Sequence, residues 1–525
     1  MSRPVRVGVI GAGFAGLSSA KVLRAMGFDV VVFDASPDVG GVWSRTRRYP
    51  GLTTQNGKHS YALSDHPMPA HYPEWPTGAQ VQQYLESYAD RFALWEVVRL
   101  GTRVVHADLD EQRPGWTLQL RDEATGADLD DVEVDHLVVG NGIFSIPSIP
   151  DYPGAEEFAD AGGRLCSVSD VDDLEQVAGK HVVVVGYGKS ACDAAAVFSD
   201  DAASVDLVAR QLLWKIPRRL GGFLNYKYLL LTRLGEGLFR YLRPVGFEKV
   251  LHGPGRPVRN AMLASIQALI TRQLRLRELG LVPNGPLERI ARSTVSLATD
   301  RLYTGVADGT IGLHRDTRIV RLLARDGRPS AELADGTVLP ADVVVCGTGW
   351  HQAIPFLSTE LQNRITDEHG NFALYSQILP HDVPALTFCG YNSSFFSPLS
   401  AEIAAWWIGA HLTGGLTLPT EEQRRAVTAE KLAWMDERTE GRHARGTNIV
   451  PFSIHNIDEL LADLGAGVSR RERFAEWLRP LNPSAYAAVG QEIIERARRS
   501  RPVRTGSAFD RDSERAPVRS LHEAG

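Results

Sequence analysis

Val7-Gly8-Val9-Ile10-Gly11-Ala12-Gly13-Phe14-Ala15-Gly16 is the stretch on which the fold of this chain turns. Its first four residues are too uniformly apolar for a half-exposed strand and read as a buried parallel one. Gly11 permits a tight turn, Gly13 lets the backbone approach a pyrophosphate, and Gly16 lets the following helix pack close to the strand. A helix from about Ala15 to Met26 then directs its N-terminal amides and positive dipole end at the phosphates. A second apolar strand, Val30 to Phe33, leads into Asp34. A carboxylate there accepts from a ribose hydroxyl and repels a 2′-phosphate, which suits FAD or NAD rather than NADP. Strand, glycines, helix, strand and acid thus occur in the order a dinucleotide site requires.

The same design recurs downstream. His181 to Val185 is a strand, Gly186-Tyr187-Gly188-Lys189-Ser190-Ala191 a turn, and Ser190 to Phe198 a helix. Ala191 stands where the third glycine would be, a replacement the fingerprint tolerates. The next strand, Ser204 to Ala209, ends in Arg210. A guanidinium there bonds a 2′-phosphate and favours NADPH over NADH, although a solvated surface arginine is the plain alternative. Lys189 either assists with the same phosphate or is simply exposed. An acid after one fingerprint and a base after the other imply two different dinucleotides, and electron transfer between them.

Composition narrows the class. A chain of 525 residues is expected to form two or more domains. With 43% hydrophobic and 23% charged residues it has ordinary globular composition, and its net charge of −6 gives no overall attraction to nucleic acid. The four cysteines, Cys166, Cys192, Cys346 and Cys389, are far apart and show neither metal-ligand spacing nor a disulfide pattern. They fit a reducing cytoplasm as mostly buried small hydrophobes, and from their spacing no metal is expected. The N-terminal apolar stretch is the nucleotide-binding strand rather than a signal peptide, and no apolar run is long enough for a transmembrane helix.

Ala341-Asp342-Val343-Val344-Val345-Cys346-Gly347-Thr348-Gly349 resembles the earlier His136-Leu137-Val138-Val139-Gly140-Asn141-Gly142. Both are strands ending in a Gly-x-Gly turn, as if each marks a crossing between domains. The expected architecture is therefore α/β, with two Rossmann-like dinucleotide-binding domains, the NADP domain inserted in the FAD domain, plus C-terminal helices. Its expected boundaries are residues 1–165 for the first part of the FAD domain and 166–336 for the NADP domain, with a helical insert near 213–280. Residues 337–499 form the second part of the FAD domain and the C-terminal helices. Residues 500–525, rich in Arg, Asp, Ser and Pro, are expected to be a disordered tail.

Taken together these segments resemble the flavin-containing monooxygenases, the single-component FAD/NADPH class that includes the Baeyer–Villiger monooxygenases. The matching segments are Gly11 to Gly16, Gly40-Gly41-Val42-Trp43, Ser64-Asp65-His66-Pro67 and Gly142-Ile143-Phe144-Ser145-Ile146-Pro147. Further matches are Gly186 to Ser190, Arg210 with Trp214 and Arg218, and Gly347-Thr348-Gly349. The resemblance implies FAD at Gly11, Ala12, Gly13, Phe14, Ala15, Gly16 and Asp34, with Gly41, Val42 and Trp43 near it. It implies NADPH at Gly186, Gly188, Lys189, Ser190 and Arg210, and cofactor contacts at Thr348 and Gly349, whose turn belongs to a linker strand returning to the FAD domain. It further implies an enzyme acting on paired donors with O2: NADPH reduces the flavin, which forms a C4a-(hydro)peroxyflavin that oxygenates an organic N, S or ketone centre. The protein would supply orientation, electrostatics and a dry pocket.

Two departures qualify the resemblance. The family's Phe-x-Gly-x-x-x-His signature keeps Gly162, but Asp160 and Cys166 hold the Phe and His positions, and Asp170 the aromatic one that follows. Heteroatom-oxidising members carry an Asn three residues before a base; counting back from Lys58 gives Gln55, with Asn56 beside it. Either amide could donate at the flavin edge, or both belong to a polar loop. Arg45, Arg47 and Arg48 read as contacts to phosphates or solvent rather than as Baeyer–Villiger arginines. The aromatic segment Leu213 to Leu242 lines a tunnel for a bulky, apolar small-molecule substrate, makes weak membrane-surface contact, or is a helical subdomain packed on the NADP domain, the favoured reading. An NADPH oxidase or reductase with uncoupled oxygen chemistry, and a non-catalytic flavin-binding protein, stay open as alternatives, as does oligomeric state.

Overall fold

The structure is a computed structural model and describes residues 4–292, 296–441 and 445–500. Two five-stranded parallel sheets organise it. The first runs Leu386–Phe388, His136–Val139, Arg6–Ile10, Asp29–Phe33, Val98–Arg99; the second runs Arg164–Ser167, Val343–Cys346, His181–Val185, Ser204–Ala209, Ile311–Arg315. Each glycine-rich turn therefore follows the middle strand of its sheet. All four residues of Val182–Val185 and of Val343–Cys346 are buried, as strands covered on both faces must be.

The two sheets are covered in the same way. A three-stranded antiparallel sheet packs on one face of each: Thr102–Asp110, Gly115–Asp122 and Asp128–Val134 on the first, Ile319–Arg325, Arg328–Leu333 and Val338–Pro340 on the second. Trp116, Leu118 and Val134 meet Ile10, Val31 and Phe33 in one core; Leu322, Ala331 and Leu333 meet Val183, Val185 and Val344 in another. Helices cover the opposite faces. Helix Ser397–Leu412 is buried throughout except at Ser397 and His411, so Trp406 and Trp407 on it are core residues, as the sequence suggests.

The strand pairing moves two expected boundaries. Val343–Cys346 pairs in parallel with Val182–Val185 and with Arg164–Ser167, so the chain leaves the second sheet after Cys346 rather than near residue 337. The earlier crossing likewise precedes Arg164. Between the sheets the two connections run side by side: Ile146–Pro147 pairs antiparallel with Trp350–His351, and Ser148 N donates to Gly349 O at 2.9 Å. Thr348 Oγ1 donates to Ser148 O. The expected tail, apart from Ser500, lies outside the described residues.

The insert is built of short helices, Lys227–Leu230, Arg233–Gly237 and Phe247–His252, followed by the longer Arg256–Gln273. Tyr226, Leu231, Leu238, Phe239 and Tyr241 are buried in the main core, so most of its apolar residues are packed; Phe223 stays 78% exposed. Ion pairs pin it to the C-terminal helices. Arg233 contacts Asp458 at 2.5 Å and Glu476 at 2.7 Å. Glu236 accepts from the amides of Ile454 and His455, both at 2.9 Å, and from His455 Nδ1 at 2.5 Å, while Glu248 lies 2.9 Å from His455 Nε2.

Burial opposes charge on His455, but the two carboxylates more than offset it and raise its pKa to about 10. A raised histidine pKa stabilises the fold fully below the unfolded value of about 6.5, and that contribution is lost as pH rises through about 10. Substituting His455→Gln is therefore expected to cost on the order of 3 kcal/mol at pH 6, where the buried pair is intact. The cost should shrink towards pH 10. Urea unfolding of both proteins across this range checks it, and a cost that does not change with pH contradicts it.

Candidate active site

The carboxyl edge of the first sheet collects the groups for one dinucleotide. Gly11 has φ +107°, and a Cβ there would lie 2.4 Å from Gly140 O. A Cβ on Gly16 would lie 1.6 Å from Gly11 O. The first glycine thus admits a neighbouring strand end as well as the turn. Helix Phe14–Met26 starts at Gly13 with no side-chain cap, leaving its first amides for an anion. Asp34 accepts from Ala12 N at 2.6 Å and Ser36 N at 2.8 Å, so it also fixes the loop it follows. Gly40 N donates to Ala12 O at 3.0 Å, and Gly41, which leads into Val42 and Trp43, lies against Gly13. Tyr61 packs edge-on to both Trp43 and Phe14.

A second helix starts at this edge. Leu386–Phe388 runs parallel to His136–Val139, which runs parallel to Arg6–Ile10, so the helix after it, Ser397–Leu412, begins on the same side as Phe14–Met26. It too has no side-chain cap. A Cβ on Gly390 would meet Ala15 Cβ at 2.9 Å, a measure of how close the loop before Ser397 comes to the first fingerprint. The matching segment Ser64-Asp65-His66 clamps these helices. Ser64 donates from N at 2.7 Å and from Oγ at 3.0 Å to Glu402, and Asp65 pairs with Lys21 at 2.5 Å. Burial, and Asp65 nearby, push the Glu402 carboxyl up to about 7.

Gln55 and Asn56 are brought to the start of helix Ser397–Leu412, and both are more engaged than a free polar loop. Asn56, 3% exposed, donates from Nδ2 to Phe395 O and accepts from Tyr226 Oη at 3.2 Å. Gln55 Oε1 accepts from Leu297 N at 3.0 Å, and its carbonyl from Tyr226 Oη at 2.8 Å. The pair therefore joins the first domain to the insert. Each primary amide has two N–H donors, so Asn56 has one beyond its bond to Phe395. The three nearby arginines are occupied: Arg45 by Asp38, Arg47 by Phe144 O and the Trp350 ring, Arg48 by Gln82. They contact protein rather than standing free for phosphate.

The second sheet repeats the cradle. Gly186 has φ +119°, and its Cβ would lie 2.5 Å from Gly347 O, as Gly11 faces Gly140. Helix Lys189–Phe198 starts at Gly188, again without a side-chain cap, and Ser190 sits in its first turn. Arg210 directly follows the strand Ser204–Ala209, exposed and without an ion pair among the described residues. Lys189, by contrast, is turned onto Asp193 at 2.5 Å, and burial lowers its pKa; that pairing differs from the phosphate contact expected of it. Sequence reasoning missed Lys215. It is 1% exposed, lies 5.0 Å from the Tyr187 ring inside the fingerprint, and has Ser296 Oγ at 2.8 Å but no carboxylate partner among the described residues. A buried ammonium without a counter-charge is costly, and a dinucleotide phosphate would supply one. Its adjacency to Trp214 was the available signal.

Cys166, in place of the signature histidine, lies in the edge strand Arg164–Ser167 opposite Val345. Burial pushes its thiol up to about 11, so it is a packed, unreactive side chain. Asp170 accepts from Ser167 N at 2.8 Å and closes the turn after that strand, while Asp160 ends a short helix in solvent. Cys166 and Asp170 thus fall at the carboxyl end of the edge strand, two strands across from His181–Val185, and Asp160 falls before that strand.

Residues 4–469 match the family described as flavin-binding monooxygenase-like. The chain belongs to that family. As a member it is a flavin-dependent monooxygenase with FAD and NADPH as cofactors, which removes the non-catalytic alternative. Similar curated proteins include a probable flavin-containing monooxygenase of Arabidopsis thaliana, 26% identical with 93% of this chain and 97% of that protein covered. The FAD-dependent monooxygenase resA of Aspergillus sclerotiorum is 27% identical over the same shares. Among solved structures, a cyclohexanone monooxygenase with bound caprolactone superposes with TM-score 0.65 at 18% identity, covering 88% of this chain and 98% of its own. The S-allyl-L-cysteine S-oxygenase of Allium sativum gives 0.60 at 18%, covering 94% and 98%. These likenesses establish the shared two-sheet fold.

Proposed function

We propose that this family member oxygenates a nucleophilic nitrogen or sulfur of an organic substrate, with FAD on the first sheet and NADPH on the second. The observation that carries the reading is the Gln55–Asn56 loop locked at the start of helix Ser397–Leu412, with an Asn56 N–H in reserve and the neighbouring arginines all engaged. When bound, FAD accepts hydride from NADPH and activates dioxygen. The chain's own residues do the rest. Gly11, Gly13 and Gly16 admit the pyrophosphate, Asp34 holds the loop and a ribose, and the uncapped helix starts supply amides and positive dipole ends. Gly186, Gly188 and Ser190 offer the same to NADPH, with Arg210 on its 2′-phosphate and Lys215 on its inner phosphates. Asn56 donates a hydrogen bond where charge develops on oxygen, and Tyr226 keeps it oriented.

A cavity of about 840 Å3 between the insert and the second domain supports a bulky substrate. Its walls combine Trp75, Leu274, Leu279 and Tyr303 with Arg218, Arg219 and Arg275, so they are less apolar than the tunnel expected from the sequence. Among the described residues no helix is long and apolar enough to cross a membrane. A cytoplasmic setting is supported by four free, buried cysteines.

The test is product detection with amines, sulfides and ketones, together with peroxide release. Substituting Asn56→Leu is expected to lower oxygenation about 100-fold in the flavin-loaded fraction, with NADPH oxidation continuing to peroxide. Tyr226→Phe, which leaves the donor in place, should uncouple far less. Ketone products alone, or equal uncoupling in both variants, would contradict the assignment.

A further inference from the structure

The insert holds a second cavity, of about 450 Å3, that none of the nucleotide or oxygenation chemistry uses. It lies at the N-terminal end of helix Arg256–Gln273 and is walled by Arg240, Arg256 and Arg259, by the amides of Asn260 and Gln267, and by Glu288. Gln273, at the other end of this helix, lines the larger cavity beside Tyr303. The two cavities share no lining residue, so the smaller one is distinct from the cavity beside Tyr303.

Its charges do not balance. Arg259 is 5% exposed and is the one guanidinium with an acid: it pairs with Glu288, donates to Leu238 O at 2.6 Å and to Asn260 Oδ1 at 3.0 Å. Arg240 and Arg256 have no ion pair among the described residues and stand exposed at the rim. Burial and the neighbouring Arg256 both lower the pKa of Arg259, the mark of like charges held close together. His252 is taken up by the carbonyls of Gly237 and Phe239, at 3.0 and 3.2 Å. Gln267 Oε1 accepts from Leu287 N at 2.7 Å, which leaves its amide N–H groups as donors. Three guanidiniums against one carboxylate leave an excess of two positive charges in a concave site, on a protein whose net charge is negative.

We propose that this cavity binds a phosphate-bearing dianion. Guanidinium forks match phosphate oxygens two at a time, and a dianion neutralises the excess charge. The volume leaves room for an organic body on the phosphate. Two sources offer such a group, a soluble phosphate ester and the headgroup of an anionic lipid.

The experiment is titration of the FAD-loaded full chain with inorganic phosphate by calorimetry at low ionic strength, with NADP+ saturating the Arg210 site. Saturable binding is expected, weakened at least tenfold in Arg240→Gln/Arg256→Gln and unchanged in Arg210→Ala. Glu288→Gln, which removes the competing carboxylate, should tighten binding, a gain that misfolding cannot mimic. Flotation with phosphatidylcholine vesicles, with and without phosphatidate, separates the sources. Vesicle binding that needs both phosphatidate and the two arginines identifies a headgroup, whereas phosphate binding without it identifies a soluble ester. No saturable binding of either probe, or binding that survives the double substitution, overturns the proposal.

Discussion

Arg210→Ala is expected to raise the KM for NADPH roughly ten- to hundredfold while leaving that for NADH nearly unchanged. The guanidinium follows the second strand of its sheet, where a dinucleotide's adenosine ribose is read, and it is exposed and unpaired among the described residues. It is therefore free to meet a 2′-phosphate. A hydrogen bond to a charged group contributes about 1.5–3 kcal/mol, and each 1.4 kcal/mol is about a factor of ten. Lys215→Met serves as the contrast. A lysine on the phosphates common to both coenzymes should weaken NADPH and NADH alike. Steady-state kinetics with both coenzymes on the three proteins checks this, and an equal rise for both coenzymes in Arg210→Ala removes Arg210 from the 2′-phosphate.

Gly16→Ala is expected to give a protein that does not retain FAD. The added Cβ would stand 1.6 Å from Gly11 O, an overlap that only backbone movement can relieve. Overpacking of this kind costs about 1–3 kcal/mol or more, and here the part that must move is the phosphate-binding turn. Flavin content after purification, read with the melting temperature, reports both consequences. In the second fingerprint Ala191 carries a methyl in the corresponding place, and a Cβ on Gly347 would lie 2.6 Å from that methyl, so the strand end there has to be glycine. Wild-type flavin content in Gly16→Ala would show that the close approach is not required.

The sequence made the two cradles legible because each depends on residues adjacent in the chain. Strand, glycine turn, helix and the charge after the next strand are local features, and Asp34 and Arg210 fall where they are expected. The crossings between sheets were recognised by the similarity of Val343–Gly349 to His136–Gly142. Their position was misjudged because the partner of Val343–Cys346 is set by parallel pairing with His181–Val185, which leaves no local trace.

The proposed catalytic loop was legible only in part. Residue types identified Gln55 and Asn56 as amides, but their orientation comes from Tyr226, Leu297 and Phe395, each more than 150 positions away. Lys189 looked available because a lysine at a helix start is usually solvated, and it is Asp193, one turn on, that draws it in. Lys215 was overlooked because isolation from acids is a property of burial, not of spacing.

Anaerobic mixing of the FAD-loaded protein with one equivalent of NADPH tests most directly whether electrons pass from the second cradle to the first. The expected result is bleaching of the oxidised flavin's visible absorbance, much faster than with an equal concentration of NADH, with that preference lost in Arg210→Ala. A flavin that stays oxidised in the presence of bound NADPH would contradict it.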